Sequence, residues 1–347
     1  MGRIPNYMRR HADTILTGMV GVGSAVAAAF APALLKWPGI QQVLALVGLV
    51  FLIMVPFLRR WNRKRSGTAV VVWVHFPEWG TGWDLRAIEF ADRTHASVFP
   101  VRKPLQVAPS SWPEVVKSVR VLLDYLFREA QPFGFDPGRV SMFVAAPWWV
   151  SWAIGAPFGH HTNLDVYDGE RSPEQLLAGG IDVYDQYSDH SEGFFLAGHL
   201  QRDRKTEVDH RDLVSTKLVD LGGATDNLRA IVLKLGSHDL VPDAVLSARK
   251  KGAVRALVVE ERYASPGYLH QTTANFERLA AEVFTAVKEF LDTERRVSEG
   301  ERLTFMVYAS LPVSVAFLLG AHLSVGTDFV LMHWDDPNQQ YVEAKVR

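Results

Sequence analysis

Histidine-containing segments are the first places where this chain could carry out chemistry. His160 and His161 are adjacent, and the segment 209–212 (DHRD) places a histidine among carboxylates. Neither segment has an HExxH-type or other metal-binding spacing, and loop histidines are usually solvated. An enzyme would also need a nucleophile with a base or a readable carboxylate pair, and neither is visible. The sequence therefore predicts a binding protein, not an enzyme, with no metal site and no cofactor.

The signature motifs of three large enzyme classes are also missing. The chain after residue 67 has no GxGxxG, GxxxxGK[ST] or GxSxG, which removes the sequence case for a nicotinamide enzyme, an NTPase or an esterase. The segment 21–23 (GVG) looks like half of a dinucleotide-binding fingerprint, but it lies in an apolar run and follows no strand. The chain has no cysteine, so thiolate metal sites, disulfides and cysteine nucleophiles are excluded.

Charge is distributed unevenly along the chain. Residues 1–67 hold nine Lys and Arg and a single acidic residue, Asp13, whereas the whole chain has a net charge of −1. The remainder is therefore strongly acidic. Because affinity for long DNA or RNA rests on neutralising phosphates, no long nucleic acid is expected as a partner.

Two apolar segments near the N-terminus are long enough to cross a bilayer. Residues 14–35 and 40–58 carry no charge and are separated by a short Lys-Trp-Pro-Gly turn. Basic residues precede the first segment and follow the second, so the positive-inside rule places both termini in the cytoplasm. The sequence predicts an α-helical transmembrane hairpin over residues 1–67 and therefore a multi-pass membrane protein. A cleaved signal peptide is the alternative, but the second span and its basic flank argue against it.

Small residues recur in the first span, and they allow helix backbones to approach closely. Packing within the hairpin and contact between hairpins of different subunits both explain them. The residues are Gly18, Gly21, Gly23, Ala25, Ala28 and Ala29.

The rest of the chain, 68–347, alternates strand and helix patterns and is typical of an α/β fold. Strands are predicted at 69–74, 97–101, 139–145, 229–235, 254–260 and 302–308. Helices are predicted at 84–94, 112–130, 242–251 and 272–292, with two more opening at Pro147 and Pro312.

This order occurs twice. Placing Pro147 on Pro312 also places Gly155 on Gly320, and both segments between them are apolar. We interpret residues 69–167 and 229–334 as two Rossmann-like halves joined by a connector with a strand near 194–198. Helix N-termini at the carboxyl ends of parallel strands bind anions, so two halves facing alike would form one composite cleft. Such a cleft suits a nearly symmetric ligand with several phosphates.

The C-terminal part has a recognisable order of elements. Residues 305–320 (FMVYASLPVSVAFLLG) give a strand, a small-residue turn with proline and an apolar helix ending in glycine, and 328–334 (DFVLMHW) gives a last strand. This order resembles the closing segment of SAVED domains. The segment 219–224 (VDLGGA) is similar to the middle of such domains. The resemblance covers most of 68–347, and its motifs are patterns of residue class more than invariant side chains.

SAVED domains are fused CARF-like halves that bind cyclic oligonucleotides made by cGAS-like nucleotidyltransferases in CBASS anti-phage defence. The resemblance therefore implies a two-transmembrane SAVED effector that binds a cyclic di- or trinucleotide. Such an effector would lie in the bacterial inner membrane, and on binding it would form a homo-oligomer and disrupt this lipid bilayer. The alternatives are a membrane-tethered enzyme acting on nucleotides, such as a ring nuclease, and a scaffold without a small ligand.

Ligand-binding residues are expected in the loops that follow the strands. Aromatic side chains there would stack on bases, and Arg or Lys would contact phosphates. Trp148 and Trp149 also open an apolar helix, so at least one of them is expected in the core. The candidates are Phe76, Trp79, Arg102, Lys103, Trp148, Trp149, Gly236, Ser237, Arg262, Tyr263, Ser310 and Leu311.

Overall fold

The structure is a computed structural model, and it describes eleven segments of the chain. These are residues 67–77, 82–106, 109–129, 140–160, 164–170, 193–200, 211–236, 239–262, 273–298, 301–324 and 326–346. The expected hairpin and both of its spans lie outside the described residues. Within them, no helix is long and apolar enough to cross a membrane.

The first half is built on a five-stranded sheet in the order β2-β1-β3-β4-β5. Strand β1, between β2 and β3, is almost wholly buried, as expected for a strand covered on both faces. Strands β1 to β4 are parallel, and β5 closes the edge as an antiparallel strand. The strands are β1 (Thr68–His75), β2 (Ser97–Pro104), β3 (Val140–Ala145), β4 (Leu164–Glu170) and β5 (Gly193–Leu200), and the helices are α1 (Trp83–Thr94), α2 (Trp112–Glu129) and α3 (Trp148–Gly155).

The second half is built on a six-stranded sheet in the order β11-β10-β9-β7-β8-β6. Strands β7 to β10 are parallel, whereas β6 and β11 are antiparallel edge strands. The strands are β6 (Val214–Asp220), β7 (Thr225–Lys234), β8 (Ala253–Glu261), β9 (Thr304–Ser310), β10 (Asp328–Asp335) and β11 (Gln340–Glu343), and the helices are α4 (Val241–Lys250), α5 (Thr273–Val297) and α6 (Val313–Leu323).

The two sheets share one strand order. Replacing β1, β2, β3, β4 and β5 by β7, β8, β9, β10 and β11 converts the first order into the second, with β6 as the only addition. The connecting helices also correspond, because one helix lies between each pair of successive parallel strands in both halves. The described chain is thus a mixed α/β structure with two Rossmann-like sheets of equivalent topology.

The two halves share a hydrophobic core. One cluster of buried side chains includes β1 and β3 of the first half together with β7, β9, α5 and α6 of the second. A smaller cluster lies on the other face of the second sheet, beneath α4. Helix α6 belongs to the second half by sequence, yet it also packs against β3, β4 and β5 of the first. Burial of this shared apolar surface holds the halves together.

Two buried carboxylates fix the long helix α5 to the second sheet. Glu282 accepts hydrogen bonds from the backbone N–H groups of Leu213 and Val214, 2.7 and 3.1 Å away, at the start of β6. Glu294 forms ion pairs with Arg229 and Arg255, and the Glu294–Arg255 contact is 2.8 Å. Each carboxylate has charged or backbone partners, as buried charges require.

Candidate functional site

Helices α3 and α6 begin directly beyond the carboxyl ends of β3 and β9. Each has a proline at its N-cap, Pro147 or Pro312, with φ of −53° and −57°. The proline ring fixes φ near these values, so the chain leaves the strand in an extended conformation and turns at once into the helix. The first N–H groups of a helix have no intrahelical partner, which makes each N-terminus an anion-binding position.

Contacts between α3 and α6 run in the same order along both helices. The Ser151 hydroxyl, in the first turn of α3, donates to the backbone carbonyl of Val313, the first residue of α6, at 2.8 Å. One turn later Gly155 lies against the backbone of Phe317. Two helices whose N-terminal residues touch and whose later residues also touch run in parallel. The N-termini of α3 and α6 therefore lie side by side at the same end of the molecule.

The close approach of these helices depends on a reciprocal pair of glycines. A Cβ atom added at Gly155 would lie 2.2 Å from the carbonyl oxygen of Phe317, and one at Gly320 would lie 2.1 Å from that of Trp152. When Pro147 is placed on Pro312, Gly155 falls on Gly320 and Trp152 on Phe317. The interface between the two halves thus has approximate two-fold symmetry.

Two hydrogen bonds cross between the halves beside the helix N-termini. The indole N–H of Trp149 donates to Nδ1 of His333 on β10 at 3.2 Å, and the Ser314 hydroxyl donates to Oδ2 of Asp168 on β4 at 2.6 Å. The alignment that places Pro147 on Pro312 also pairs Trp149 with Ser314 and Asp168 with His333. Burial lowers the pKa of His333 to about 4, against the smaller opposing effect of Asp335 and Asp336, so the ring is neutral and Nδ1 accepts.

Several predicted site residues are buried in this interface. Trp149 is fully buried and stacks on Trp112, with ring centroids 4.3 Å apart. Phe76 packs edge-on against Trp112 and is also buried, as is Leu311. The faces of these side chains contact other core residues, so they are not exposed for stacking on a base. Trp148, at the first position of α3, is half-buried and remains the aromatic candidate of this helix.

The predicted basic residues of the first half differ in their partners. Arg102 and Lys103 were expected in the loop after β2, but the strand continues to Pro104 and includes both. Arg102 forms an ion pair with Asp84, whose side chain is buried in the first turn of α1. Its charge is therefore largely compensated within the protein. Lys103 is half-buried and forms no ion pair with a described residue. Among these neighbours, Lys103 is the better candidate for binding an anion.

The corresponding strand ends of the second half carry both positively and negatively charged side chains. Lys234, the last residue of β7, contacts Asp239 at 3.2 Å and Glu260 at 3.4 Å. Burial lowers the pKa of Lys234, but hydrogen bonds and charges from these two carboxylates outweigh it and raise the pKa above its ordinary value. Arg262 follows β8 and is exposed. Gly236 lies against Ser310, whose carbonyl oxygen accepts a hydrogen bond from the Leu235 N–H at 2.8 Å.

Three predicted site residues, Trp79, Ser237 and Tyr263, lie outside the described residues. The described part of the chain contains no group of three His, Asp or Glu side chains able to hold a metal ion.

Sequence reasoning missed four polar residues at this edge: Asp168, Lys234, Glu261 and His333. The placement rule considered loops that follow strands, whereas these side chains are within the last residues of β4, β7, β8 and β10. Charged residues that end an otherwise apolar strand were the available signal for Lys234 and Glu261.

The described chain resembles solved receptor structures only distantly. No family model and no curated protein matches the sequence. Three structures of the Acinetobacter baumannii Cap4 SAVED/CARF-domain containing receptor align with it. Those with the cyclic trinucleotides 3'3'3'-cAAA and 2'3'3'-cAAA have TM-scores of 0.44 at 11% and 10% identity, covering 68% and 84% of this chain. The third has a TM-score of 0.38 at 15% identity over 68% of this chain. The alignments cover 43%, 54% and 41% of the receptor chains.

Proposed function

We propose that this chain is a receptor for a cyclic oligonucleotide, which binds across the adjacent N-termini of α3 and α6. The observation that carries the proposal is the parallel packing of these two helices, one from each of two equivalent halves. Each N-terminus offers unpaired N–H groups to a phosphate. A ring of nucleotides presents phosphates at several points of its circumference and so matches two such positions at once.

Side chains at the same edge support an anionic ligand with bases. Lys103 lies next to the last residue of β2, Arg262 follows β8, and the half-buried Trp148 opens α3. We assign the two cations to phosphate contacts and Trp148 to contact with a base. The likeness of residues 305–320 to the closing segment of SAVED domains points to the same ligand class. The acidic net charge of the chain after residue 67 disfavours a long nucleic acid.

The effector part of the proposal rests on the N-terminal sequence. Two apolar segments with basic flanks form a hairpin in the bacterial inner membrane, and the receptor part lies on its cytoplasmic side. A hairpin of two helices is too small to enclose a pore, so membrane damage requires several hairpins. Ligand binding promotes this assembly only if it favours the assembled state.

The deciding experiment is calorimetry of the full-length chain in detergent with a panel of cyclic di- and trinucleotides, followed by chromatography of the ligand. The first rings to test are 3'3'3'-cAAA and 2'3'3'-cAAA. We expect saturable binding of at least one ring, which is recovered intact. Binding with conversion to linear products would identify a ring nuclease instead, and no binding of any ring would contradict the receptor proposal.

A further inference from the structure

Equivalent positions in the two halves carry opposite charges. The strand registers superpose when Ala145 is placed on Ser310, each of which lies two residues before a helix-capping proline. Lys103 of β2 then falls on Glu261 of β8. In the first sheet, Trp73 of β1 is paired with Ala145 of β3 and Arg102 of β2. In the second sheet, Lys234 of β7 is paired in the same way with Ser310 of β9 and Glu260 of β8, so the residues after Arg102 and Glu260 are also equivalent.

Both side chains point to the same side of their sheets. Val259 of β8 belongs to the core shared by the two halves, whereas Val258 belongs to the cluster beneath α4. Because side chains alternate along a strand, Glu261 lies on the side of Val259, and the Lys234–Glu260 pair lies on the other. In the first half, Arg102 contacts Asp84 of α1, the helix that corresponds to α4, so the next residue, Lys103, lies on the opposite face of its sheet, which corresponds to the side of Glu261.

Glu261 is a carboxyl group without the partners that burial requires. Its Oε1 atom is buried and has no hydrogen-bond partner among the described residues, and its backbone is paired with the apolar Val214 of β6. Burial raises the pKa of Glu261 to about 7, so both protonation states are populated near neutral pH. Glu282, also on this side of the second sheet, has both oxygens hydrogen-bonded. An unpartnered buried oxygen destabilises the folded protein, and a ligand that donates a hydrogen bond to it would remove that cost.

The chemistry of a carboxyl group selects which part of a nucleotide it contacts. A carboxylate only accepts hydrogen bonds and repels phosphate, whereas amino groups of adenine, cytosine and guanine donate. A protonated carboxyl can also donate to a ring nitrogen of adenine while accepting from its amino group. Uracil has no amino group, and its one ring donor, N3–H, lies between two carbonyl oxygens that repel a carboxylate, so uracil satisfies this position less well.

We propose that Glu261 is a specificity-determining residue that binds the amino group of one base of the cyclic oligonucleotide, whereas Lys103 at the equivalent position binds phosphate. This inference rests on the proposed function. The two half-sites therefore bind different chemical groups, and a ring composed of uridine alone binds more weakly than one with amino-bearing bases.

The test compares all-adenosine and all-uridine rings of the same size and linkage, titrated into the full-length chain in detergent. We expect the wild type to prefer the adenosine ring. Glu261→Met should reduce that preference about tenfold, as loss of one base contact does. Glu261→Gln, whose amide both accepts and donates, should retain most of it. Without ligand, Glu261→Met should raise the unfolding midpoint, because a buried unpartnered oxygen has been removed.

Glu282→Gln is the matched control, since it changes a buried carboxyl whose hydrogen bonds are all within the protein. It should lower the unfolding midpoint and leave the ratio of the two affinities unchanged. An unchanged ratio in Glu261→Met would overturn the role of Glu261 while the receptor function stands. Failure of the wild type to bind any ring would overturn both proposals.

Discussion

Lys103 and Arg262 are the cations of the proposed site that have no ion pair with a described residue, whereas the neighbouring Arg102 is bound to Asp84. Charge reversal by Lys103→Glu or Arg262→Glu removes a charge-assisted phosphate contact of about 1.5–3 kcal/mol. We expect cyclic-oligonucleotide affinity to fall at least about tenfold, as measured by calorimetry. Arg102→Glu should instead lower the unfolding midpoint, because it leaves the buried Asp84 beside a second carboxylate.

The matched control is Lys250→Glu, an exposed lysine in the last turn of α4. Helix C-termini lie at the opposite edge of the sheet from the strands' carboxyl ends, so this variant should bind ligand as the wild type does. Reversal in the basic flank at Arg63, Lys64 or Arg65 should also have little effect on binding. Equal affinities across all these variants would refute the placement of the site.

His333 should make stability depend on pH. Its pKa is about 4 in the folded protein and near its ordinary value of 6.5 when unfolded. Between these values the unfolded chain binds more protons, so stability is lost as the pH falls from about 6.5 to 4, by up to about 3 kcal/mol. Denaturant unfolding at several pH values should show a smaller loss in His333→Gln, which keeps an acceptor for Trp149.

Glu261 has the opposite dependence, because its pKa is raised on folding. Its contribution to stability is present at low pH and declines as the pH rises from about 4.5 to about 7. The difference between wild type and His333→Gln isolates the histidine, since Glu261 contributes equally to both. Parallel pH profiles for the two proteins would contradict the assignment of His333.

Local sequence carried little information about which of the loop residues face solvent. Both tryptophans at the start of α3 follow the same strand, yet Trp149 is in the core and Trp148 is half-buried. The difference arises because Trp112 and His333, distant in sequence, contact the Trp149 ring. A single sequence does not specify which distant residues meet, so such contacts were beyond a loop-based prediction.

At the scale of elements, the close packing of α3 against α6 leaves no room for added side-chain volume at Gly155 or Gly320. Gly155→Ala places a Cβ atom against the backbone of Phe317, and the backbone has little freedom to move away. We expect a loss of about 3 kcal/mol in the free energy of unfolding, the upper end for overpacking. Gly320→Ala, the equivalent change against Trp152, should cost a similar amount.

Gly169→Ala serves as the control for these glycine variants. The nearest atom to its added Cβ is Nε1 of Trp83 at 3.4 Å, an ordinary contact distance. Denaturant unfolding of this variant should resemble that of the wild type. If Gly155→Ala were as stable as Gly169→Ala, the close helix crossing would be wrong.

The central strands and helices were well anticipated because their signals are local. Uniformly apolar runs indicated the buried parallel strands, and proline and glycine indicated helix ends. For example, residues 139–145 were expected as a strand and β3 spans Val140–Ala145. The inner strand β4 and the edge strands β6 and β11 were not predicted, because all three mix polar and apolar residues. The parallel packing of α3 and α6 depends on contacts between the halves and was not predictable from either segment.

At the scale of the whole molecule, we expect ligand to promote assembly. Light scattering of the full-length chain in detergent should show a rise in mass when cyclic oligonucleotide is added, and liposomes containing the protein should then release dye. Gly18→Leu or Gly21→Leu should preserve ligand affinity and reduce dye release, because a larger side chain keeps helix backbones apart. Val20→Leu is the control, as it changes an already large residue in the same span. A ligand-bound protein that stays monomeric and still releases dye would contradict this mechanism.

Because the two halves are fused in one chain, equivalent positions on the two sides of their interface can carry different residues. In a homodimer built from such halves, one substitution would alter both sides of the two-fold axis at once. Here the Trp149–His333 and Ser314–Asp168 bonds occupy equivalent places with different chemistry, because each half is encoded separately. The two sides of the axis are thus distinguishable to a bound molecule. If the proposed function is correct, a ring with inequivalent nucleotides would bind in one preferred orientation. A strictly symmetric dimer could not distinguish that orientation from the one related by its two-fold axis.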